Sequence, residues 1–80
     1  MNQTKTYPPV VEEYDDAVIE AQPVYLPGSA GWLPRGMVKY SSESGAVQRP
    51  FEFEDVCLTY EEALDEALRG GRQLIDQLNR

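Results

Sequence analysis

The sequence predicts an α+β domain: a three-stranded antiparallel meander sheet followed by one C-terminal helix packed on one face, in the order β-β-β-α. Three apolar stretches with a period near two occupy the middle of the chain, and clusters of turn residues separate them. A long apolar stripe with helical spacing follows them. Consecutive strands joined by short turns pair as a meander, and one helix across such a sheet hides both apolar surfaces.

The length of 80 residues, 41% of them apolar, allows one core and not two. Residues 1–13 lack periodicity and contain Pro8-Pro9. We therefore expect a flexible or extended N-terminal arm over 1–13 and a single β-β-β-α domain over 14–80.

The three predicted strands cover residues 16–25, 32–41 and 47–54, with turns rich in Gly, Pro and Ser between them. Pro34 and Pro50 cannot donate a backbone hydrogen bond to a neighbouring strand. The second strand should therefore begin after Pro34 or lie at an edge there, and Pro50 indicates an edge or a bulge.

The helix is predicted from about Tyr60 to Leu78. Thr59 precedes Glu62 by three residues, which is the spacing of a capping box, and Leu58 with Ala63 fits a hydrophobic staple. These signals predict where the helix begins.

An apolar or small residue recurs every three or four positions along this helix, at Leu64, Leu68, Gly71, Ile75 and Leu78. Two interior glycines cost roughly 1 kcal/mol each relative to alanine, yet the stripe passes Gly70-Gly71 without a change of phase. We therefore expect one continuous helix. Gly71 should lie at a close helix–sheet contact, whereas Gly70, one position off the stripe, should be exposed.

Four sequence features together are similar to those of a group of small, mostly proteobacterial proteins of β-β-β-α order with no assigned activity. They are Trp32-x-Pro34, Phe51-x-Phe53, Thr59-x-Glu61-Glu62-Ala63 and the run Gly71 to Asp76. The resemblance covers roughly residues 16–79. It implies the same fold and a bacterial source, and it implies no functional residues.

Charge and composition exclude several classes of function. The chain has 7 Lys and Arg against 14 Asp and Glu, and its net charge is −7. Nucleic-acid binding and anionic-membrane binding both need clustered basic residues, so neither is expected. No stretch reaches the ~20 apolar residues of a membrane span, and the start of the chain lacks a signal-peptide pattern, so we expect a cytoplasmic protein.

Catalytic chemistry is also not expected, so we predict no enzyme activity, no catalytic residues, no cofactor and no metal. The chain has no histidine, which removes the commonest general base and metal ligand. Its one cysteine, Cys57, lies between apolar residues before the helix, where a small buried side chain is expected. A helix N-terminus can lower a thiol pKa, so a reactive Cys57 is the less favoured alternative.

The eight aromatic residues exceed what one helix–sheet core needs. One helix covers only one sheet face, and the opposite face should present an apolar patch for a protein partner or a second copy of the chain. The predicted interface residues are Val18, Trp32, Leu33, Met37 and Tyr40. Two alternatives remain: an acidic nucleic-acid mimic that inhibits a DNA-binding protein, and a weak single-strand binder that stacks bases on Trp32 and Tyr40.

Overall fold

The computed structural model describes residues 7–78, which form six strands and one long helix. In chain order these are β1 (Val10–Tyr14), β2 (Ala17–Ala21), β3 (Val24–Leu26), a short 3-10 turn (Pro27–Ser29), β4 (Gly31–Leu33), β5 (Arg35–Ser42), β6 (Gly45–Glu52) and α1 (Tyr60–Leu78).

The predicted α+β class with a C-terminal helix is confirmed, but the predicted three-stranded meander is wrong. The main sheet has four antiparallel strands in the order β1-β2-β5-β6, and β3 and β4 form a separate two-stranded sheet. Two prolines explain the difference, because Pro23 interrupts the predicted first strand and Pro34 the second. The residues between them leave the main sheet and pair with each other.

The predicted N-terminal arm needs correction at its C-terminal end. Val10 to Glu13 belong to β1, which pairs with β2 in a register that places Val10 opposite Ala21. The connection is a two-residue turn in which Asp15 and Asp16 both have positive φ, 53° and 66°. This is the geometry of a tight hairpin turn that usually contains Asn or Gly, so the Asp pair gave little sign of it. Residues 1–6 of the predicted arm lie outside the described residues.

The helix has the predicted bounds and the predicted cap. The Glu62 backbone N–H donates to Thr59 Oγ1 at 3.1 Å, which satisfies one of the free N–H groups of the first turn. The predicted staple is wrong, because Leu58 is 83% exposed. The cap alone therefore defines the start of α1.

Small residues bring α1 close to β2 and β5. The buried face of the helix consists of Ala63, Ala67, Gly70, Gly71 and Ile75. The predicted stripe is therefore displaced, since Leu64 and Leu68 are half-buried at its flank and Leu78 is exposed. Ile75 packs with Ala17, Ile19 and Val38 of the sheet to form the centre of the core.

Both glycines of α1 lie at close contacts, which confirms the expectation for Gly71 and corrects that for Gly70. A Cβ atom on Gly71 would lie 2.6 Å from Cγ2 of Ile19, which is fully buried. Gly70 is buried as well, and a Cβ atom there would meet the ring of Phe53. The helix packs too closely for any side chain at either position without a shift of its neighbour.

The proline in β6 lies on an edge strand, as predicted. The Phe53 N–H donates to the Pro34 carbonyl at 3.0 Å, so Phe53 and Pro34 form a hydrogen-bonded pair. Along an antiparallel ladder, such pairs alternate with non-hydrogen-bonded pairs. Pro50 opposite Met37 is therefore a non-hydrogen-bonded pair, and the nitrogen of Pro50 faces the open edge. The proline removes no ladder hydrogen bond, and the open edge of β6 has one backbone donor fewer for pairing with another strand.

Candidate functional site: an aromatic surface around Trp32

The structure does not bring the five predicted interface residues together. Val18 and Met37 lie on the sheet face opposite α1, because each alternates with a buried core residue of its strand. Tyr40 lies on the other face and packs against the core. Trp32 and Leu33 belong to β4, outside the main sheet.

The open face of the main sheet is a mixed surface rather than an apolar patch. The register forms one cross-sheet row of Val11, Glu20, Met37 and Pro50, and a second row of Glu13, Val18, Lys39 and Gln48. Lys39 Nζ lies 3.4 Å from Glu20 Oε2 across this face. Because polar groups separate the apolar side chains, the face suits contact with solvent.

A cluster of four aromatic rings lies instead beside the N-terminus of α1, with Trp32 at its centre. The ring of Tyr7 stacks on that of Tyr60 with centroids 3.9 Å apart. Tyr7, Tyr25 and Tyr60 all contact Trp32, at centroid distances of 5.5, 5.2 and 5.3 Å. These tilted and edge-on arrangements are the favoured geometries for aromatic pairs. Trp32 itself is only 7% exposed.

Backbone pairing places Trp32 against the start of the helix. Trp32 and Cys57 exchange two backbone hydrogen bonds, both 2.7 Å long, so β4 pairs with the segment that precedes α1. Gly31 permits this approach, because a Cβ atom there would lie 2.7 Å from the Cys57 carbonyl oxygen and against Val56. Tyr60, the first residue of α1, consequently lies beside Trp32.

Four exposed large apolar side chains lie in the segments that form this cluster. Among the described residues six such side chains are exposed; Tyr7 (43%) and Tyr25 (37%) contact Trp32, and Val56 (39%) and Leu58 (83%) flank Cys57, the backbone partner of Trp32. We call these four residues, together with Trp32 and Tyr60, the aromatic surface. The sequence signal that could have located it was the surplus of aromatic residues, but the surplus alone does not show which rings meet.

Acidic groups dominate the electrostatics beside the aromatic surface. Burial raises the pKa of the Cys57 thiol, and Glu62, Glu66 and Asp55 raise it further. Burial also raises the pKa of Tyr60, with contributions from Tyr7 and Glu61. Cys57 therefore remains a protonated thiol near neutral pH, which is the opposite of an activated nucleophile.

A cleft of about 450 Å³ opens next to Cys57, between the β6–α1 connection and the helix. Phe53 and Gly70 line it, together with Arg69. Arg69 is already engaged, since its guanidinium contacts Asp65 at 2.8 Å and Glu66 at 2.9 Å. The cleft therefore offers an unreactive thiol and a neutralised cation.

The polar cluster elsewhere in the molecule joins β1 to α1. The Arg72 guanidinium donates two hydrogen bonds to the Glu12 carboxylate, at 2.7 and 2.9 Å, and the Tyr14 hydroxyl donates to Asp76 at 3.0 Å. The hydrogen bond from Arg72 lowers the pKa of Glu12, and the hydrogen bond to Asp76 raises the pKa of Tyr14. This geometry explains how an edge strand is held and requires no catalytic role.

Two further findings concern the residues from 7 to 78. No helix in this range combines the length and the apolarity needed to cross a membrane. No group of three or more acidic or cysteine side chains within it is arranged to hold a metal ion. Comparison of the chain with protein-family models, curated proteins and solved structures finds no significant match.

Proposed function

We propose that this protein is a non-enzymatic interaction module that binds a protein partner through the aromatic surface. The observation that carries the proposal is that Tyr7 and Tyr25 remain partly exposed beside the buried ring of Trp32, while exposed Val56 and Leu58 flank Cys57, the backbone partner of Trp32. Tyr and Trp are the residues most enriched at the energetic centres of interfaces. Exposed apolar side chains that adjoin one another are typical of binding surfaces.

The chemistry of the polar groups supports binding rather than catalysis. The chain has no histidine. The raised pKa of Cys57 disfavours the thiolate, and the bidentate carboxylate–guanidinium pair of Glu12 with Arg72 tethers an edge strand. We propose a cytoplasmic location, which the composition supports through a single cysteine and an acidic, polar chain.

Two double variants test the proposal. Tyr25→Ser with Leu58→Ser reduces the aromatic surface at two exposed side chains, and Val11→Ser with Met37→Ser makes a comparable apolar loss on the open sheet face. Each immobilised protein is used for affinity purification from the native cell. We expect a partner that the native protein and the open-face variant retain and that the aromatic-surface variant loses. A partner lost only by the open-face variant would refute the proposal.

The acidic nucleic-acid mimic is the second candidate, because carboxylates line the exposed side of α1 from Glu61 to Glu66. Arg69 pairs with Asp65 and Glu66, so cations interrupt this row. That interruption favours the interaction module over the mimic. The mimic would become the favoured function if the native protein captured a DNA-binding protein, and if that capture survived the loss of Tyr25 and Leu58 but not the loss of Glu61 and Glu62.

A further inference from the structure

We infer that the partner segment bound by the aromatic surface is a basic peptide segment with an apolar or aromatic anchor residue. This inference rests on the proposed function and adds the chemistry of the partner. It follows from the charge around the surface, the exposed ring faces and the pairing of charges elsewhere in the molecule.

Among the described residues, the charged groups in the segments that form the aromatic surface are all acidic. The β3–β4 sheet with its flanks, residues 22–34, contains no charged residue. Residues 53–64, which lead into α1, contain four carboxylates and no Lys or Arg. Asp55, Glu61 and Glu62 are close enough to the site to raise the pKa values of Cys57 or Tyr60. A basic partner would find complementary charge on the side of the surface formed by residues 53–64.

Four carboxylates outside the 53–64 segment have cationic partners of their own. Glu12 is bound by Arg72, Glu20 by Lys39, and Asp65 and Glu66 by Arg69. Within residues 7–78, the four carboxylates of the 53–64 segment form no such pair. The fold thus neutralises part of its negative charge internally and leaves the charge beside the aromatic surface available to a partner.

The exposed rings add a second attraction for the same partner. Tyr7 and Tyr25 are each more than one third exposed. A guanidinium or ammonium group held over such a ring face gains about 0.5–1 kcal/mol at exposed sites. Leu58 and Val56 offer apolar contact for an anchor residue between the cations.

The same charges disfavour the other occupants of this surface. Nucleic acid and anionic lipid would be repelled by the carboxylates. A second copy that used the same surface in a two-fold dimer would bring the unpaired carboxylates of both copies into one interface. A basic segment is the occupant whose charge fits.

A displayed library of random peptides tests the inference directly. Peptides are selected at low salt for binding to the native protein, with the Tyr25→Ser/Leu58→Ser variant used for counter-selection. We expect the selected peptides to be enriched in Lys and Arg next to an aromatic or aliphatic residue, and their binding to weaken as salt is raised. Peptides that need Tyr25 and Leu58 but show no basic enrichment would refute the inference and leave the proposed function standing. A selection that yields no peptide dependent on these residues would refute the proposed function itself.

Charge-neutral variants provide the matched control. Asp55→Asn with Glu61→Gln and Glu62→Gln removes three charges beside the surface, and Glu13→Gln with Glu43→Gln and Glu52→Gln removes three elsewhere. We expect the first set to weaken binding of a selected peptide about tenfold, with a reduced salt dependence, because complementary charge steers association. We expect the second set to change it less than about threefold, since exposed charges beyond a Debye length are screened. Equal effects of the two sets would show that only net charge matters and would overturn the inference.

Discussion

The helix–sheet core and the aromatic surface both bury apolar side chains of this small domain, but they do so with residues of different size. In the core, Gly71 lies directly against Ile19, and the rest of the buried face of α1 consists of Ala63, Ala67, Gly70 and Ile75. At the aromatic surface, large rings close over Trp32 and remain partly exposed. Small residues pack with no exposed apolar area at the contact. The large rings pack on Trp32 and still expose apolar area that a partner can contact. Of the two regions, only the aromatic surface therefore has exposed apolar area for a binding function.

Trp32→Ala should have the largest effect, a loss of about 3–5 kcal/mol in the free energy of unfolding. Trp32 is nearly fully buried, and it joins β4, the start of α1 and three tyrosine rings. A denaturant titration followed by far-UV circular dichroism measures the loss. Trp32→Phe, which retains a ring, should lose clearly less. If Trp32→Ala left the unfolding transition unchanged, the aromatic surface would not be part of the cooperative fold.

Gly71→Ala should cost on the order of 1–3 kcal/mol, because the added methyl overpacks a position with no free space. The neighbouring atoms belong to Ile19, which is fully buried and cannot move aside.

Gly70→Ala is the matched comparison and should cost less. The atoms that its methyl would meet are at the end of the Phe53 ring, which is half-buried and can turn, and alanine regains up to about 1 kcal/mol of helix propensity. The same titration measures both variants. A larger loss at Gly70 than at Gly71 would mean that the cleft side of α1, and not the β2 side, limits its approach.

Glu12→Gln should produce a smaller, pH-dependent loss of stability. The pKa of Glu12 is lowered from its usual value of 4.5 by the hydrogen bond from Arg72. A lowered pKa means that the ionised form stabilises the fold above the unfolded pKa, and that this contribution disappears as the pH falls through the folded pKa.

The difference in stability between native protein and Glu12→Gln should therefore be largest near neutral pH and vanish in acid. Thermal unfolding at a series of pH values measures it, and Arg72→Gln should show the same convergence. A difference that stayed constant to low pH would show that the carboxylate–guanidinium pair contributes nothing specific.

The smallest effect concerns the reactivity of Cys57 and not stability. Because burial and nearby carboxylates raise its pKa, we expect alkylation near neutral pH to be slower in the folded protein than in the denatured chain. Replacing Glu62 by Gln should make the folded protein react somewhat faster. Fast alkylation of the native fold would contradict the acidic environment on which the charge argument depends.

The sequence by itself determined the C-terminal helix, including both of its bounds, because its signals are local. The cap at Thr59 acts within a few residues, and the structure agrees with it. The apolar repeat correctly predicted one continuous helix, but the buried face is formed by Ala63, Ala67, Gly70, Gly71 and Ile75 rather than by the predicted leucines. The single Cys and the acid excess likewise restricted the chemistry without reference to the fold.

Only the tertiary structure decided which strands pair and which rings meet. Pro23 and Pro34 divide two predicted strands into four. Arg72 contacts Glu12 across sixty residues of chain. Trp32 contacts three tyrosine rings from separate segments of the chain. The physical reason is that alternation shows which side chains of a strand share a face, but it does not show the neighbour that the strand pairs with. A pairing partner is chosen by long-range packing, and the aromatic surface exists only after that choice has been made.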